Sequence, residues 1–434
     1  MVTALVGGQV IDGRGNAPLR DGTVVIAGHK ILEVSQARAF GSEVRVVDVG
    51  GRTVMPGIID CHRHFGEWFQ WLITEQTRPL MYLAAQTVKG LKQCLEAGCT
   101  TARDMGGLEA GFRDAVADGL IPGPRLQTAL VIIQATNGLM DSMPGLGGAI
   151  SPQGLVATVP GIPTPWCDGP YEARKKVREV LRYGADVIKI ANDGSGMFRR
   201  AVDGAPPPRL RPDRTLFTDE ELAAIVDEAH RAGVTVACHA YSPRGLLQAV
   251  RAGVDSIEDH GELDEACCDE MARRGVWLVT CFLNHHWHAT RNPDPAMRDW
   301  ARGWNESGRA EADLRMALAA GVPVAMGTDM GYDGVADTAQ ELGYMVKAGM
   351  TPMQAIEAST GQAARCLRMH GEVGTLEAGK EADLLVIDGD PLQDIDVLAQ
   401  RARLALVMKA GEGVWGPLLA ELPRQRTETV SSYL

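Results

Sequence analysis

Two histidines near the start of the chain give the first chemical signal. His62 and His64 lie two residues apart in the run TVMPGIIDCHRHF, residues 53–65. On an extended strand, side chains two residues apart point to the same face, so the two imidazoles would converge while Arg63 points away. Converging neutral imidazoles suit a borderline metal ion such as zinc. The alternative is a pair of solvated polar residues, and the rest of the chain must decide between the two.

Length and composition are those of an ordinary globular protein. The 434 residues fit one large barrel with a small second domain, or two to three smaller domains. The net charge of -12 argues against a nucleic-acid partner, because phosphate binding needs a basic surface. The chain shows no secretory signal and no stretch apolar enough to span a membrane, so we expect a cytoplasmic protein. The nine cysteines lack CxxC spacing and are expected to be reduced and buried.

Both ends of the chain predict β-strands. Short alternating apolar runs, divided by Gly, Asn and Pro, extend from Ala4 to Val49 and predict several antiparallel strands. A sheet of this length has one face to cover, and strand patterns return at residues 374–387 and 403–409. We therefore expect a small β-sandwich domain built from residues 1–53 and 370–434.

Residues 54–369 alternate between helical and strand patterns. Eight strands with helices between them indicate an α/β fold, a TIM-like (β/α)8 barrel. Barrel chemistry belongs at the C-terminal ends of the strands. The polar residues at those ends, on five of the predicted strands, are His62, His64, Lys189, His239, His260 and Asp329. A Gly- and Pro-rich insert, residues 134–170, interrupts the pattern, and an insert of this length is usually functional or mobile.

The order of these motifs resembles the amidohydrolase superfamily of metal-dependent hydrolases. The segments that carry the resemblance are MPGIIDCHRHF, ADVIKI, VTVACHAY, DSIEDHG, VAMGTDM and GTLEAGKEADLLVI, spread from about Leu5 to about Lys409. The lysine on strand four, together with IPGPRL and DGPYEARKKVREVLRYGADVIKI, is most similar to one branch of the superfamily. That branch contains prolidase-like dipeptidases and ochratoxin-type amidases.

The resemblance implies a site for two divalent metal ions, most often zinc. His62, His64 and Asp329 would hold one ion, and His239 and His260 the other. Lys189, carboxylated by carbon dioxide, would bridge the two, because a carbamate is anionic whereas an ammonium group would be repelled by two dications. An unmodified, ion-paired Lys189 is the alternative.

One segment departs from the pattern of the relatives. They usually have SIEHG, whereas this chain has SIEDHG, residues 256–261, with an additional Asp259. An inserted residue reverses the facing of all later residues on a strand unless a bulge absorbs it. The ligand from strand six is therefore either His260 or Asp259.

The resemblance implies that a metal-bound hydroxide attacks the carbonyl carbon of an amide. Asp329 would take the proton of the attacking water and deliver it to the leaving nitrogen. Tyr241, two residues past His239, would bind the oxyanion or a substrate carboxylate, or only pack. Aromatic residues in the loops predict either a bulky apolar pocket or a packed interface. The candidate substrate contacts are Trp68, Trp166, Arg199 and His288.

We therefore expect a binuclear amidohydrolase that cleaves a dipeptide or N-acyl amino acid, a small molecule with a bulky or aromatic group. The same chemistry could cleave a carbamate, urea or lactone. A deaminase is disfavoured, because deaminase relatives generally lack the strand-four lysine and carry a glutamate soon after the strand-five histidine. A non-catalytic scaffold is disfavoured, because scaffolds usually lose ligands. By analogy with similar barrels, we expect a homo-oligomer.

Overall fold

The computed structural model describes residues 2–66, 79–136, 138–139, 161–193, 215–259, 261–293, 295–331, 334 and 336–422. The described strands are β1 Val2–Val10, β2 Leu19–Ala27, β3 Lys30–Gln36, β4 Val44–Asp48, β5 Thr53–Pro56, β6 Ile58–Arg63, β7 Cys99–Asp104, β8 Arg125–Thr128, β9 Ile132–Ile133, β10 Val187–Ala191, β11 Thr235–His239, β12 Ser256–Glu258, β13 Trp277–Thr280, β14 Val324–Met326, β15 Leu384–Ile387, β16 Leu404–Lys409 and β17 Glu412–Trp415.

The described α-helices are α1 Leu80–Glu96, α2 Ala110–Ala117, α3 Pro170–Arg182, α4 Asp219–Arg231, α5 Pro243–Ala252, α6 Glu265–Arg274, α7 Phe282–Arg291, α8 Pro295–Glu306, α9 Arg309–Ala319, α10 Gln340–Lys347, α11 Pro352–Ala358 and α12 Gly361–Cys366. Short 3-10 helices cover Ile395–Ala399, Arg401–Arg403 and Pro417–Glu421. None of these helices is long and apolar enough to cross a membrane.

The two ends of the chain meet in one sheet, in the order β17-β16-β15-β5-β1-β2-β3, with β4 also paired to β1. The antiparallel pair β5–β15 joins the N-terminal strands to the C-terminal strands and places Val54 opposite Val386. The pairs β1–β2 and β2–β3 are antiparallel, as predicted, whereas β1 also pairs in parallel with β4 and β5. Alternation of apolar residues fixes which face a side chain takes, but not the direction of the partner strand.

The middle of the chain forms two parallel sheets. One has the order β6-β7-β8 and the other the order β14-β13-β12-β11-β10-β9. The third strand, which the sequence predicts over residues 122–130, is observed as β8, and the separate short strand β9 begins after Leu130, which has a left-handed φ of 64°. β8 pairs with β7, and β9 pairs with β10. An isolated parallel bridge between Arg63 and Met330 connects the end of β6 to the segment after β14.

Helices follow most of the parallel strands and bury apolar faces against them. α5 and α6 end at Gly253 and Gly275, whose φ angles of 100° and 70° are the left-handed caps that the glycines in the sequence predict. Every residue of β10 is buried, Lys189 included. Because the parallel strands are sequential neighbours, their C-terminal ends lie along the same edge of each sheet, and there the polar residues gather.

Candidate active site

The first cluster joins the end of β6 to the segment after β14. His62 Nε2 lies 3.4 Å from His64 Nε2. Asp329 Oδ1 lies 3.3 Å from His62 Nε2 and 3.1 Å from His64 Nε2. Asp329 has a left-handed φ of 50°, and its backbone N–H donates to the His62 carbonyl at 2.8 Å. The predicted triad His62, His64 and Asp329 is therefore brought together.

Hydrogen bonds fix which nitrogen of each imidazole is available. His62 Nδ1 lies 2.9 Å from Glu258 Oε2, and His64 Nδ1 lies 2.7 Å from the carbonyl oxygen of Gly106. Both partners are acceptors, so each Nδ1 donates and each Nε2 presents a lone pair. Two lone pairs and a carboxylate oxygen at such distances repel one another unless a cation lies among them. The cluster therefore fits a metal ion with nitrogen and oxygen ligands.

The electrostatics of His62 agree with this interpretation. Burial alone would lower the pKa of its imidazole, but the nearby carboxylates of Asp259 and Asp329 raise the pKa to about 9. Without a metal ion the His62 imidazole therefore carries a second proton, and a metal ion bound at Nε2 would displace that proton and take its positive charge into the site.

The second cluster contains buried polar atoms without partners. Among the described residues, Lys189 Nζ, His239 Nε2 and Asp259 Oδ1 have no hydrogen-bond partner. His239 Nδ1 lies 2.9 Å from Asp259 Oδ2, which leaves His239 Nε2 free to bind a ligand. Lys189 Nζ lies 3.8 Å from the same carboxylate, within ion-pair distance but beyond a hydrogen bond. Each unsatisfied buried group costs about 1–3 kcal/mol, so the three together fit a bound group that completes them.

Asp259 is the residue from strand six that the structure places in the site. It follows β12, is 4% exposed, and has a left-handed φ of 54°. Its Oδ1 lies 3.5 Å from His62 Nδ1. The additional residue in SIEDHG is thus accommodated by a turn that directs the Asp259 carboxylate inward. His260 lies outside the described residues, so its role as a ligand stays a prediction.

Two buried carboxylates that position the ligands were not predicted. Asp60 accepts hydrogen bonds from the backbone N–H groups of His62 and Thr328, both at 3.1 Å, and pairs with Arg63 at 3.1 Å. Glu258, which holds His62, is itself held by Arg103 Nη2 at 2.7 Å. The sequence did contain a signal for both residues, since each is an acid within an otherwise apolar strand. Charged side chains are rarely buried unless they are paired, so such acids are expected to have a partner.

Tyr241 lies beside the second cluster, as its place after His239 predicts. Its ring is edge-on to the His239 ring, with 4.5 Å between centroids. Its backbone N–H donates to Asp193 Oδ1 at 2.7 Å. Burial, and then the charges of Asp259 and Asp329, raise the pKa of its phenol well above the usual value. The hydroxyl therefore stays protonated and can donate a hydrogen bond.

The remaining predicted contacts have different surroundings. Trp166 packs into the main apolar core. His288 lies on α7, with its Nδ1 at 2.6 Å from Asn292 Nδ2, and burial lowers the pKa of its imidazole although Asp329 opposes the shift. Trp68 and Arg199 lie outside the described residues.

Residues 284–288, which follow β13, are helical and form part of α7. Asn284 Nδ2 donates to the backbone carbonyl of Asp329 at 2.6 Å. His285 is buried and stacks on Trp304, with 5.7 Å between ring centroids. α7 therefore supports one edge of the first cluster.

Comparison with known proteins identifies the family. The amidohydrolase family matches residues 53–414 of the chain. The chain belongs to this family. Ochratoxinase of Aspergillus niger is 30% identical over 434 residues, covering 96% of this chain and 87% of the relative. The crystal structure of the A. niger ochratoxinase matches with a TM-score of 0.82 and 28% identity, covering 96% of each chain.

A solved prolidase is also similar to this amidohydrolase. It was crystallised with N-methylphosphonate-L-proline and matches with a TM-score of 0.85 and 31% identity, covering 95% of this chain and 99% of the prolidase. A Xaa-Pro dipeptidase with bound methionine in the active site has a TM-score of 0.80 and 29% identity, covering 95% and 99% of the two chains.

These findings confirm the resemblance to the amidohydrolase superfamily, with prolidase- and ochratoxinase-like members. The protein is a hydrolase that acts on carbon–nitrogen bonds, of the amide-hydrolysing kind. The family is generally metal-dependent, in agreement with the ligand cluster His62, His64 and Asp329. Family and structural neighbours imply a TIM-barrel-like α/β fold, in agreement with the parallel sheets.

Proposed function

We propose that this amidohydrolase binds two metal ions and cleaves the amide bond of a dipeptide or N-acyl amino acid with a bulky or aromatic group. One observation carries the proposal: the His62, His64 and Asp329 cluster lies beside the unpaired buried atoms of Lys189 and His239. The similarity to ochratoxinase, to a prolidase and to a Xaa-Pro dipeptidase supports the choice of substrate class.

Each ion has its own set of ligands in this proposal. His62, His64 and Asp329 hold the first, and His239 holds the second with either Asp259 or His260. Lys189, as a carbamate, would supply anionic oxygen ligands to both ions. Zinc is the ion that such nitrogen and oxygen donors favour. When bound, the ions supply a hydroxide nucleophile and polarise the substrate carbonyl.

We infer that these ligands are carried by a closed (β/α)8 barrel, residues 54–369, and that residues 1–53 and 370–434 build a second domain, whose described strands pair in one sheet. Two features support closure of the barrel: the chain passes directly from β8 in one parallel sheet to β9 in the other, and the bridge between Arg63 and Met330 joins the end of β6 to the segment after β14. This bridge lies next to the site, since Met330 directly follows Asp329.

The protein's own groups orient the reaction. Glu258 and the Gly106 carbonyl hold the His62 and His64 rings so that each Nε2 faces inward. Asp329 accepts the proton of the attacking water and passes it to the leaving nitrogen. Tyr241 donates a hydrogen bond from its phenol to the oxyanion or to the substrate carboxylate.

We assign substrate recognition to residues that the sequence places in loops after the predicted strands. We assign Arg199 to the substrate carboxylate, which a guanidinium can bind with two parallel hydrogen bonds. Trp68 and His288 are assigned to the bulky group, whereas Trp166, which packs in the main apolar core, is not. The carboxylate of Asp329 opposes the lowering of the His288 pKa by burial, so the charge of the first cluster acts on this imidazole.

A substrate panel tests the proposed activity. We expect aromatic N-acyl amino acids, aromatic anilides and Xaa-Pro dipeptides to be cleaved with a kcat/KM at least about tenfold above that of small polar amides, a ratio that one pocket contact can supply. Faster cleavage of carbamates, ureas or lactones would replace the amide proposal, and preference for small polar amides would remove the bulky pocket. Lys189→Ala, measured in parallel, controls for contaminating hydrolases.

Metal analysis of two variants assigns the ligand from strand six. Loss of one metal ion in His260→Ala but not in Asp259→Ala would assign His260. The reverse result would assign Asp259, whose carboxylate the structure places in the site.

A further inference from the structure

A cysteine lies at the metal cluster, at the end of a strand where the sequence predicts no ligand. Cys281 directly follows β13 and is 2% exposed. Its Sγ, a ring nitrogen of His62 and a carboxylate oxygen of Asp259 all lie within 4.8 Å of one another. A single metal ion can be reached by donor atoms at such separations, since metal–sulfur and metal–nitrogen bonds are about 2.3 and 2.0–2.1 Å long.

A second observation points to a ligand at the same place. Asp259 Oδ1 is buried and has no hydrogen-bond partner among the described residues, although the other oxygen of this carboxylate is paired with His239. A buried carboxylate oxygen that is left open costs free energy unless it is completed by a bound group. The thiol of Cys281 and the open oxygen of Asp259 therefore belong to one donor set.

Cys281 does not cap the helix that follows it. It occupies the N-cap position of α7, where Ser, Thr, Asp or Asn would stabilise the helix, and its side chain makes no capping hydrogen bond. The N–H groups of Phe282 and Leu283 are instead capped by Glu341, at 3.1 and 2.7 Å. The thiol is thus free of the helix and faces the cluster.

We propose that Cys281 is a thiolate ligand of the metal centre, acting with Asp259 beside the His62, His64 and Asp329 cluster. Binding breaks the S–H bond and forms a sulfur–metal bond, and the proton leaves to solvent. A thiolate makes the centre softer than nitrogen and oxygen ligands alone, so it favours zinc and cobalt over manganese and magnesium. The inference rests on the proposed function only in requiring that the cluster holds a divalent ion.

X-ray absorption spectroscopy of the zinc-loaded protein tests the proposal. We expect a zinc–sulfur shell at about 2.3 Å beside nitrogen and oxygen ligands at about 2.0–2.1 Å. Cys281→Ser should lose the sulfur shell and keep bound zinc. Cys267→Ser, which removes a buried thiol whose Sγ contacts the Pro243 carbonyl on α5, is the matched control and should keep the shell. All nine cysteines are buried, so a surface thiol does not account for a sulfur signal.

The outcomes separate this inference from the proposed function. Bound zinc without sulfur in the wild type, or a sulfur shell that persists in Cys281→Ser, overturns the thiolate while the metal centre stands. A wild type that binds no zinc overturns both. If Cys281→Ser does not fold, the wild-type spectrum still decides, and cobalt(II) loading gives a second measurement: a sulfur-to-cobalt charge-transfer band in the near ultraviolet is expected, and its absence with cobalt bound contradicts the proposal.

Discussion

Replacing Glu258 by glutamine separates two roles that one buried carboxylate performs. Glu258 is fully buried between Arg103 Nη2, at 2.7 Å, and His62 Nδ1, at 2.9 Å. Glu258→Gln keeps the shape of the side chain but removes its charge, which leaves the Arg103 guanidinium buried without an anion. Removing one partner of a buried ion pair costs about 3–5 kcal/mol, and we expect the lower end because the amide oxygen can still accept one hydrogen bond.

The same change weakens the orientation of His62. A carboxylate that holds a metal-binding imidazole typically contributes 10- to 100-fold to metal affinity, so the dissociation constant for zinc should rise by about that factor. The free energy of unfolding is measured by urea denaturation of the metal-free protein. Zinc affinity is measured by competition with a chromophoric chelator.

A second variant distinguishes the two effects. Arg103→Met combined with Glu258→Gln removes the unpaired charge, so it should recover most of the lost stability and none of the lost zinc affinity. Glu270→Gln, which breaks an exposed pairing with Arg273 and Arg274, is the surface control and should leave both stability and zinc affinity close to those of the wild type. Recovery of zinc affinity in the double variant, or wild-type stability and affinity in Glu258→Gln, would show that Glu258 does not have these two roles.

Three further changes test the chemistry and the packing. Asp329→Asn should keep metal and lower kcat by about 10²- to 10⁴-fold, because an amide does not accept the proton; a near-normal kcat would exclude Asp329 as the base. Tyr241→Phe should lower kcat with metal content unchanged, and an unchanged rate would assign the ring to packing. Burial raises the pKa of Glu341 to about 8, although the N–H groups of Phe282 and Leu283 lower it. Between pH of about 4 and 8 only the unfolded state ionises this group, so the folded protein loses stability as pH rises through that range. Urea denaturation at several pH values should therefore show a free energy of unfolding that depends less on pH in Glu341→Gln than in the wild type.

The ligand positions that the sequence predicts are those that follow from local rules. His62 and His64 are two residues apart on a strand, and Asp329 follows the last predicted strand, so strand periodicity and the position of strand ends are sufficient to nominate them. Helix ends at Gly253 and Gly275 follow equally from the conformational freedom of glycine.

The features that the sequence does not predict depend on neighbours that are distant in the chain. Glu258 pairs with Arg103 and His62 across strands, and neither partner is visible in a local pattern. The additional residue Asp259 can be noticed in the sequence, but not the left-handed φ of 54° that turns its carboxylate inward. Cys281 looks like any other buried cysteine in the sequence, because a thiol near a metal cluster differs from a packed one only in its surroundings.

The proposed bridging of two metal ions by Lys189 is tested most directly by metal stoichiometry. Elemental analysis would be made on the wild type, purified without chelators, and on Lys189→Ala. We expect about two metal ions per chain in the wild type and one or none in the variant. One ion per chain, with no dependence on Lys189, would rule out the binuclear site and leave a mononuclear centre.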